Sequence, residues 1–151
     1  MKMPQLLHTR EEFSVTAMAP FAIAWPLFGA DAERAWAPGW NPHFVWPESA
    51  ADQEGMVFTI SHGDKTAVWV NTALDRNVNR IQYVYVLPDV VVTVITLRFT
   101  AHEQTTNVEV VYERTALTAA ANEIVKGMAA RDRSAGGEWS GQINGYLHGR
   151  L

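Results

Sequence analysis

The sequence predicts an α+β fold in which a curved, seven-stranded antiparallel sheet wraps around a long C-terminal helix, with two short helices after the first strand. Three observations predict it. Between residues 55 and 115, apolar and polar residues alternate with a period of two, in segments separated by turn signals. After Leu117 the period becomes helical. Between Phe21 and Trp36 the chain is rich in Ala, Leu and Phe but interrupted by Pro26 and Gly29, which suits short helices rather than one long one.

The elements follow in order. Residues 12–17 alternate and stop before Pro20, giving the first strand. Pro20 and Asp31 stand near the starts of the two short helices. Proline's missing N–H costs nothing there, and an acid meets the positive end of the helix dipole. Residues 37–42 form a breaker-rich loop, 43–46 a short strand closed by Pro47, and 48–53 a polar loop. Residues 55–61 and 66–74 read as a hairpin around Gly63-Asp64. Residues 78–86 place Ile81, Tyr83 and Tyr85 on one face, and residues 90–100 place Val91, Thr93, Ile95, Leu97 and Phe99 on one face. Residues 105–115 turn Val108, Val110 and Tyr112 inward and Asn107, Glu109 and Glu113 to water. Trp69 shares a face with Asn71, opposite Val68 and Val70, so alternation alone leaves its side open.

Thr118 is a suitable N-cap for the final helix, whose apolar stripe runs through Ala121, Ile124, Val125, Met128, Ala135, Trp139, Ile143, Tyr146 and Leu147. Some 30 residues at about 1.5 Å each span roughly 45 Å. An eleven-residue strand spans about 36 Å, so the helix can lie along the sheet. Gly136-Gly137 is its weak point, and a kink or two helices is the alternative.

Composition limits the function. The 151 residues are one domain's length, and residues 1–151 are read as a single domain. The net charge of −4 and the absence of any basic run argue against nucleic acid. No apolar stretch is long enough to cross a membrane, and no integral membrane association is expected. The first eight residues lack a long apolar segment, so no secretory signal and a cytoplasmic location are expected. The absence of cysteine excludes thiol catalysis and cysteine-ligated zinc. The five histidines, at 8, 43, 62, 102 and 148, show no metal-binding spacing, so neither metal nor cofactor is expected. There is no G-x-S-x-G elbow and no phosphate loop.

What stands out is six Trp, six Phe and four Tyr in a chain with few charges. One helix cannot fill a seven-stranded concavity alone, so a cavity is expected between sheet and helix, with the short helices at its mouth. The order of elements, with 33-ERAWAPGWNP-42, 54-EGMVFT-59, 80-RIQYV-84 and 112-YERTALT-118, resembles the START-like superfamily. This superfamily, also called SRPBCC, has the helix-grip fold, and the likeness is nearest to bacterial members of unassigned function. It covers about residues 13–147. The resemblance implies binding, and in some members transport, of a hydrophobic or amphipathic small molecule, including lipids. It carries no universal catalytic motif, so no catalytic residue transfers.

The expected ligand-binding residues are Trp36 and Trp40 at the mouth, Phe58, Tyr83, Tyr85, Ile95, Leu97, Phe99 and Tyr112 on the sheet, and Met128, Asp132 and Trp139 on the helix. Trp36 and Trp40 serve either as an aromatic lip or as anchors of a rigid loop. The tyrosines need hydroxyl partners, from protein or from ligand. Asp31, Glu33 and Asp132 are candidate acids, set against ordinary roles at helix N-termini and in pairs with Arg34, Arg131 or Arg133. Three readings follow: a small-molecule binder, a polyketide cyclase- or dehydratase-like enzyme using Tyr83, Tyr85, Tyr112 and Asp132, and a chaperone-regulator-like interaction domain. Unpaired strand edges leave room for a homodimer.

Overall fold

A computed structural model describes residues 5–149. Part of the N-terminal stretch from which no leader is expected, residues 1–4, lies outside the described residues. Strand β1 (His8–Ala17) leads into helix α1 (Phe21–Ala24), which tightens directly into a 3-10 turn at Trp25–Phe28. A second 3-10 turn covers Ala32–Ala35. Six strands follow: β2 (His43–Trp46), β3 (Val57–His62), β4 (Lys65–Asp75), β5 (Arg80–Leu87), β6 (Val91–Ala101) and β7 (Thr106–Ala116). The chain ends in helices α2 (Asn122–Arg133) and α3 (Ala135–His148).

The seven strands form one antiparallel sheet in the order β1-β7-β6-β5-β4-β3-β2. Consecutive strands from β2 to β7 are neighbours, as short turns require. Gly63, at φ +63°, takes the left-handed conformation that the β3–β4 hairpin needs. Register shifts in β2–β3 and at Thr72 in β4 bend that side of the sheet.

The alternation read from the sequence becomes burial. Phe13, Val15 and Ala17 of β1 are buried between exposed Glu12, Ser14 and Thr16, and Ile81, Tyr83, Tyr85, Thr93, Ile95, Leu97, Phe99, Val108 and Val110 are buried on the same inner face. Trp69 and Asn71 also point inward, while Val68 is exposed. Trp25 and Phe28 lie against Phe99 at centroid distances of 4.8 and 5.3 Å, and so seat the short helices on β6.

Three expectations are corrected. β1 begins at His8, four residues before its alternation becomes recognisable, because pairing with β7 extends from Ala17↔Thr106 to His8↔Thr115. Ile124 is 51% exposed and does not belong to the buried stripe; Val125, Ala129, Ile143 and Leu147 do. The C-terminal helix breaks at Ser134 rather than at the glycine pair, with φ −105° and ψ 6° there. Gly136 allows the approach beyond the break. A Cβ at that position would stand 2.8 Å from the Ser14 carbonyl oxygen of β1.

Two asparagines fasten the helices to the ends of β1, an edge strand whose outer backbone groups lack a strand partner. Asn122 accepts from the Leu7 N–H at 2.8 Å and donates to the Gln5 carbonyl at 3.1 Å. Asn144 accepts from the Met18 N–H and donates to the Thr16 carbonyl, both at 2.8 Å. Thr118 accepts from the Ala121 N–H at 3.2 Å, the expected cap. No helix among the described residues is long and apolar enough to cross a membrane.

Candidate functional site

A cavity of about 460 Å³ lies between the sheet, helix α3 and the segment that follows the second 3-10 turn. The sheet contributes Ile60, Ser61 and His62 from β3, Trp69 from β4, Tyr83 from β5, Ile95 and Leu97 from β6, and Tyr112 from β7. The 33–40 segment contributes Glu33, Trp36 and Trp40, and α3 contributes Glu138, Trp139 and Gln142. Antiparallel pairing brings Ile95 opposite both Tyr83 and Tyr112, so alternate inward positions of three strands converge on one wall.

The mouth segment is held rigidly. Trp36 donates from Nε1 to the Leu27 carbonyl at 2.7 Å, and Trp40 donates from Nε1 to the Ala30 carbonyl at 2.6 Å. Arg34 joins Asp31 at 3.0 Å and the Asn41 side-chain oxygen at 2.7 Å, and it also donates to the Pro42 carbonyl. The two readings of these tryptophans therefore coexist: their indole N–H groups pin the loop, and their rings wall the cavity. Trp139 meets Trp36 edge-on at 5.8 Å across the opening.

Seven of the twelve expected residues line this cavity: Trp36, Trp40, Tyr83, Ile95, Leu97, Tyr112 and Trp139. The other five lie elsewhere. Phe58 is fully buried behind Trp69, stacked on it at 5.5 Å. Phe99 is taken up by Trp25, Phe28 and Phe21 under the short helices. Tyr85, Met128 and Asp132 belong to a buried polar knot around Arg114. The guanidinium pairs with Asp132 through Nε at 2.7 Å and Nη2 at 2.8 Å. Its Nη1 donates to the Tyr85 hydroxyl at 2.7 Å and the Thr93 hydroxyl at 3.1 Å, with the Met128 sulfur at 3.6 Å. The Arg114 guanidinium also covers the Tyr112 ring at 4.8 Å. Asp132 thus pairs with Arg114 across the interior and not with Arg131 or Arg133. The knot ties α2 to β7 and leaves the Asp132 carboxylate engaged.

Sequence reasoning left Arg114 unassigned and placed Trp69 on neither face. Both were accessible to parity. Arg114 continues the inward series Val108, Val110, Tyr112, and Trp69 shares parity with the inward Ala67 and Ala73. His62, Glu138 and Gln142 carried no local signal, because only the tertiary structure brings β3 and α3 to the same cavity.

The electrostatics of the cavity are those of desolvated acids and phenols. Burial pushes the Glu33 carboxyl well above its ordinary value of 4.5, and the nearby Asp52 carboxylate pushes it further. Asp52 is itself raised by burial, with the Ala30 backbone N–H pulling it back down and Asp31 adding repulsion. The Tyr83 phenol is pushed well up by burial and then by Glu33 and Asp52. Tyr112 is likewise raised by burial, against the pull of Arg114. His62 is lowered by burial.

These groups differ in their partners. Tyr83 donates to the Phe28 carbonyl at 3.1 Å. Glu138 accepts from Gln142 at 3.2 Å. The Tyr112 hydroxyl and the Glu33 carboxyl make no hydrogen bond among the described residues. The Trp69 Nε1 is buried with no hydrogen-bond partner among the described residues, and the buried Asn71 amide faces the Tyr83 hydroxyl, holding its pKa down against the effect of burial. Burial thus favours the protonated form of Glu33 and of both phenols. No group of three or more His, Cys, Asp or Glu residues able to hold a metal occurs among the described residues.

No protein-family model and no curated protein matches the sequence. Solved structures do match in shape. A norcoclaurine synthase point mutant from Thalictrum flavum, in complex with a transition-state analogue, superposes with a TM-score of 0.68 at 10% identity, covering 99% of this chain and 100% of that one. The Zhui aromatase/cyclase from Streptomyces sp. R1128 gives 0.67 at 15% identity, covering 95% and 96%. An uncharacterized protein from Rhizobium leguminosarum gives 0.65 at 14% identity, covering 95% and 97%. With this sheet order, the short helices after β1 and the C-terminal helical arm, these superpositions show that the chain has the helix-grip fold.

Proposed function

We propose that the protein binds one small, largely apolar and amphipathic molecule in the cavity between the sheet and α3. The observation that carries this reading is the cavity itself: about 460 Å³, walled by four tryptophans and two tyrosines, with polar groups at a few points. That volume falls within the several hundred Å³ of ordinary ligand pockets, and this mixture of linings is typical of them. The interaction-domain reading would go with a filled interior, and the open cavity weighs against it. Native mass spectrometry of freshly purified protein tests for a copurified molecule. N-phenyl-1-naphthylamine, a neutral apolar fluorophore, tests the cavity directly. Saturable one-to-one binding with energy transfer from tryptophan is the expected result; no saturable binding would count against the reading.

A second reading is an enzyme on the same scaffold, of the aromatase or cyclase kind that one structural neighbour's name describes. The observation favouring it is a desolvated Glu33 facing the cavity near Tyr83 and Tyr112. A carboxyl with a raised pKa is suited to giving and taking a proton near neutral pH. Loss of turnover in Glu33→Gln with binding retained would distinguish this reading from simple carriage.

A further inference from the structure

We propose that the cavity's ligand is an organic cation, an ammonium group attached to an apolar or aromatic body, with Glu33 as its counter-ion. This rests on the small-molecule reading above and names the chemistry of the occupant. The argument starts from what lines the cavity. Trp36, Trp40 and Trp139 supply indole rings, whose faces carry negative potential and attract cations. Two carboxylates, Glu33 and Glu138, line it as well, and among the described residues no lysine or arginine does. An anionic ligand would meet carboxylates and ring faces with no counter-charge. The interior already contains one such contact, with Arg114 over the Tyr112 ring at 4.8 Å. That guanidinium is neutralised by Asp132, so it does not repel a second cation as a free charge would.

Glu33 is the residue left without a role in the fold. Its carboxylate makes no ion pair or hydrogen bond among the described residues, although its neighbour Arg34 is fully engaged with Asp31, Asn41 and Pro42. The titratable and charged groups facing it are Asp52 from the 48–53 loop, Tyr83 of β5 and Tyr112 of β7 with Arg114 behind it. His62 of β3 and Glu138 of α3 share its cavity. Apart from the already paired Arg114, none of these supplies a fixed positive charge. A bound cation would complete the set and favour the carboxylate form of Glu33, releasing up to one proton.

The test compares benzyltrimethylammonium with its carbon isostere, neopentylbenzene. The quaternary charge does not titrate, so any pH dependence of binding belongs to the protein. Binding is followed by tryptophan fluorescence, and proton release by calorimetry in two buffers of different ionisation enthalpy. The expected result is a cation association constant that rises by up to about tenfold per pH unit while Glu33 is neutral, with up to one proton released. Neopentylbenzene should bind with no such slope. Glu33→Gln, an isostere of the neutral acid, should flatten the cation's profile and weaken its binding at least about tenfold at high pH, leaving the neutral probe unchanged. The proposal is overturned by neopentylbenzene binding while the cation does not, by a flat cation profile, or by a slope that survives Glu33→Gln and so belongs to His62, Asp52 or Glu138. In those cases the small-molecule reading stands. If neither probe binds, both fail together.

Discussion

Replacing Asp132 with asparagine isolates the contribution of the interior polar knot. The substitution keeps volume and shape but removes the negative charge facing Arg114. Both side chains are only 8% exposed, so water does not screen the loss. The Tyr85 and Thr93 hydroxyls still accept from Arg114, but neither neutralises it. Breaking a buried pair by removing one partner costs about 3–5 kcal/mol. That is a large part of a total of about 5–15 kcal/mol. For a chain of this length it corresponds to a fall in Tm of about 6–20 °C. Urea denaturation and thermal melting followed by far-UV circular dichroism measure both quantities. Arg114→Met combined with Asp132→Leu should recover most of the loss, since an apolar pair of similar volume needs no desolvated charge. The residue of about 1–3 kcal/mol belongs to the Tyr85 and Thr93 hydroxyls, which then lack their partner. An Asp132→Asn variant within about 1 kcal/mol of the parent would refute the argument, because that is how a screened surface pair behaves.

The remaining predictions concern the cavity and its helical wall. Gly137→Ala meets nothing within 4 Å and should stabilise the protein by up to about 1 kcal/mol, whereas Gly136→Ala drives a methyl into the Ser14 carbonyl and should destabilise it; urea midpoints compare the two. Tyr83→Phe removes the bond to Phe28 and should cost about 1 kcal/mol. Tyr112→Phe breaks no hydrogen bond among the described residues; it should cost less than that and weaken binding of 1-naphthol more than that of N-phenyl-1-naphthylamine, as competition titrations would show. The Glu33 carboxyl is raised in the folded state, so its contribution to stability is full below its ordinary value of 4.5 and is lost as pH rises through the elevated folded value. Glu33→Gln removes that loss. It should therefore be more stable than the parent at pH 8 and nearly equal to it at pH 4, and denaturation at the two pH values checks the sign.

The strands and their inward faces follow from the sequence because strand geometry is local. A period of two assigns Tyr83, Ile95, Leu97 and Tyr112 to one surface without knowledge of what covers it. The same rule applied without exception would have turned Arg114 and Trp69 inward. A charged side chain and an indole between valines look misplaced on that face until their partners are known. Those partners come from other elements: Asp132 from α2 neutralises Arg114, and Tyr85 and Phe58 sandwich Trp69 at 4.5 and 5.5 Å. Tertiary structure alone decided which inner-face aromatics are core and which are cavity wall. Phe58 and Phe99 have the same parity and chemistry as residues around the opening, but Trp69 covers one and the short helices cover the other. The close approach of α3 to β1 at Gly136, just beyond the break at Ser134, is likewise a distance no local pattern encodes. Chain periodicity determined the sheet, the inward surface and its aromatic character. The docking of α2, α3 and the 33–40 segment determined where that surface stays open, because a cavity exists only where packing from distant parts of the chain stops short.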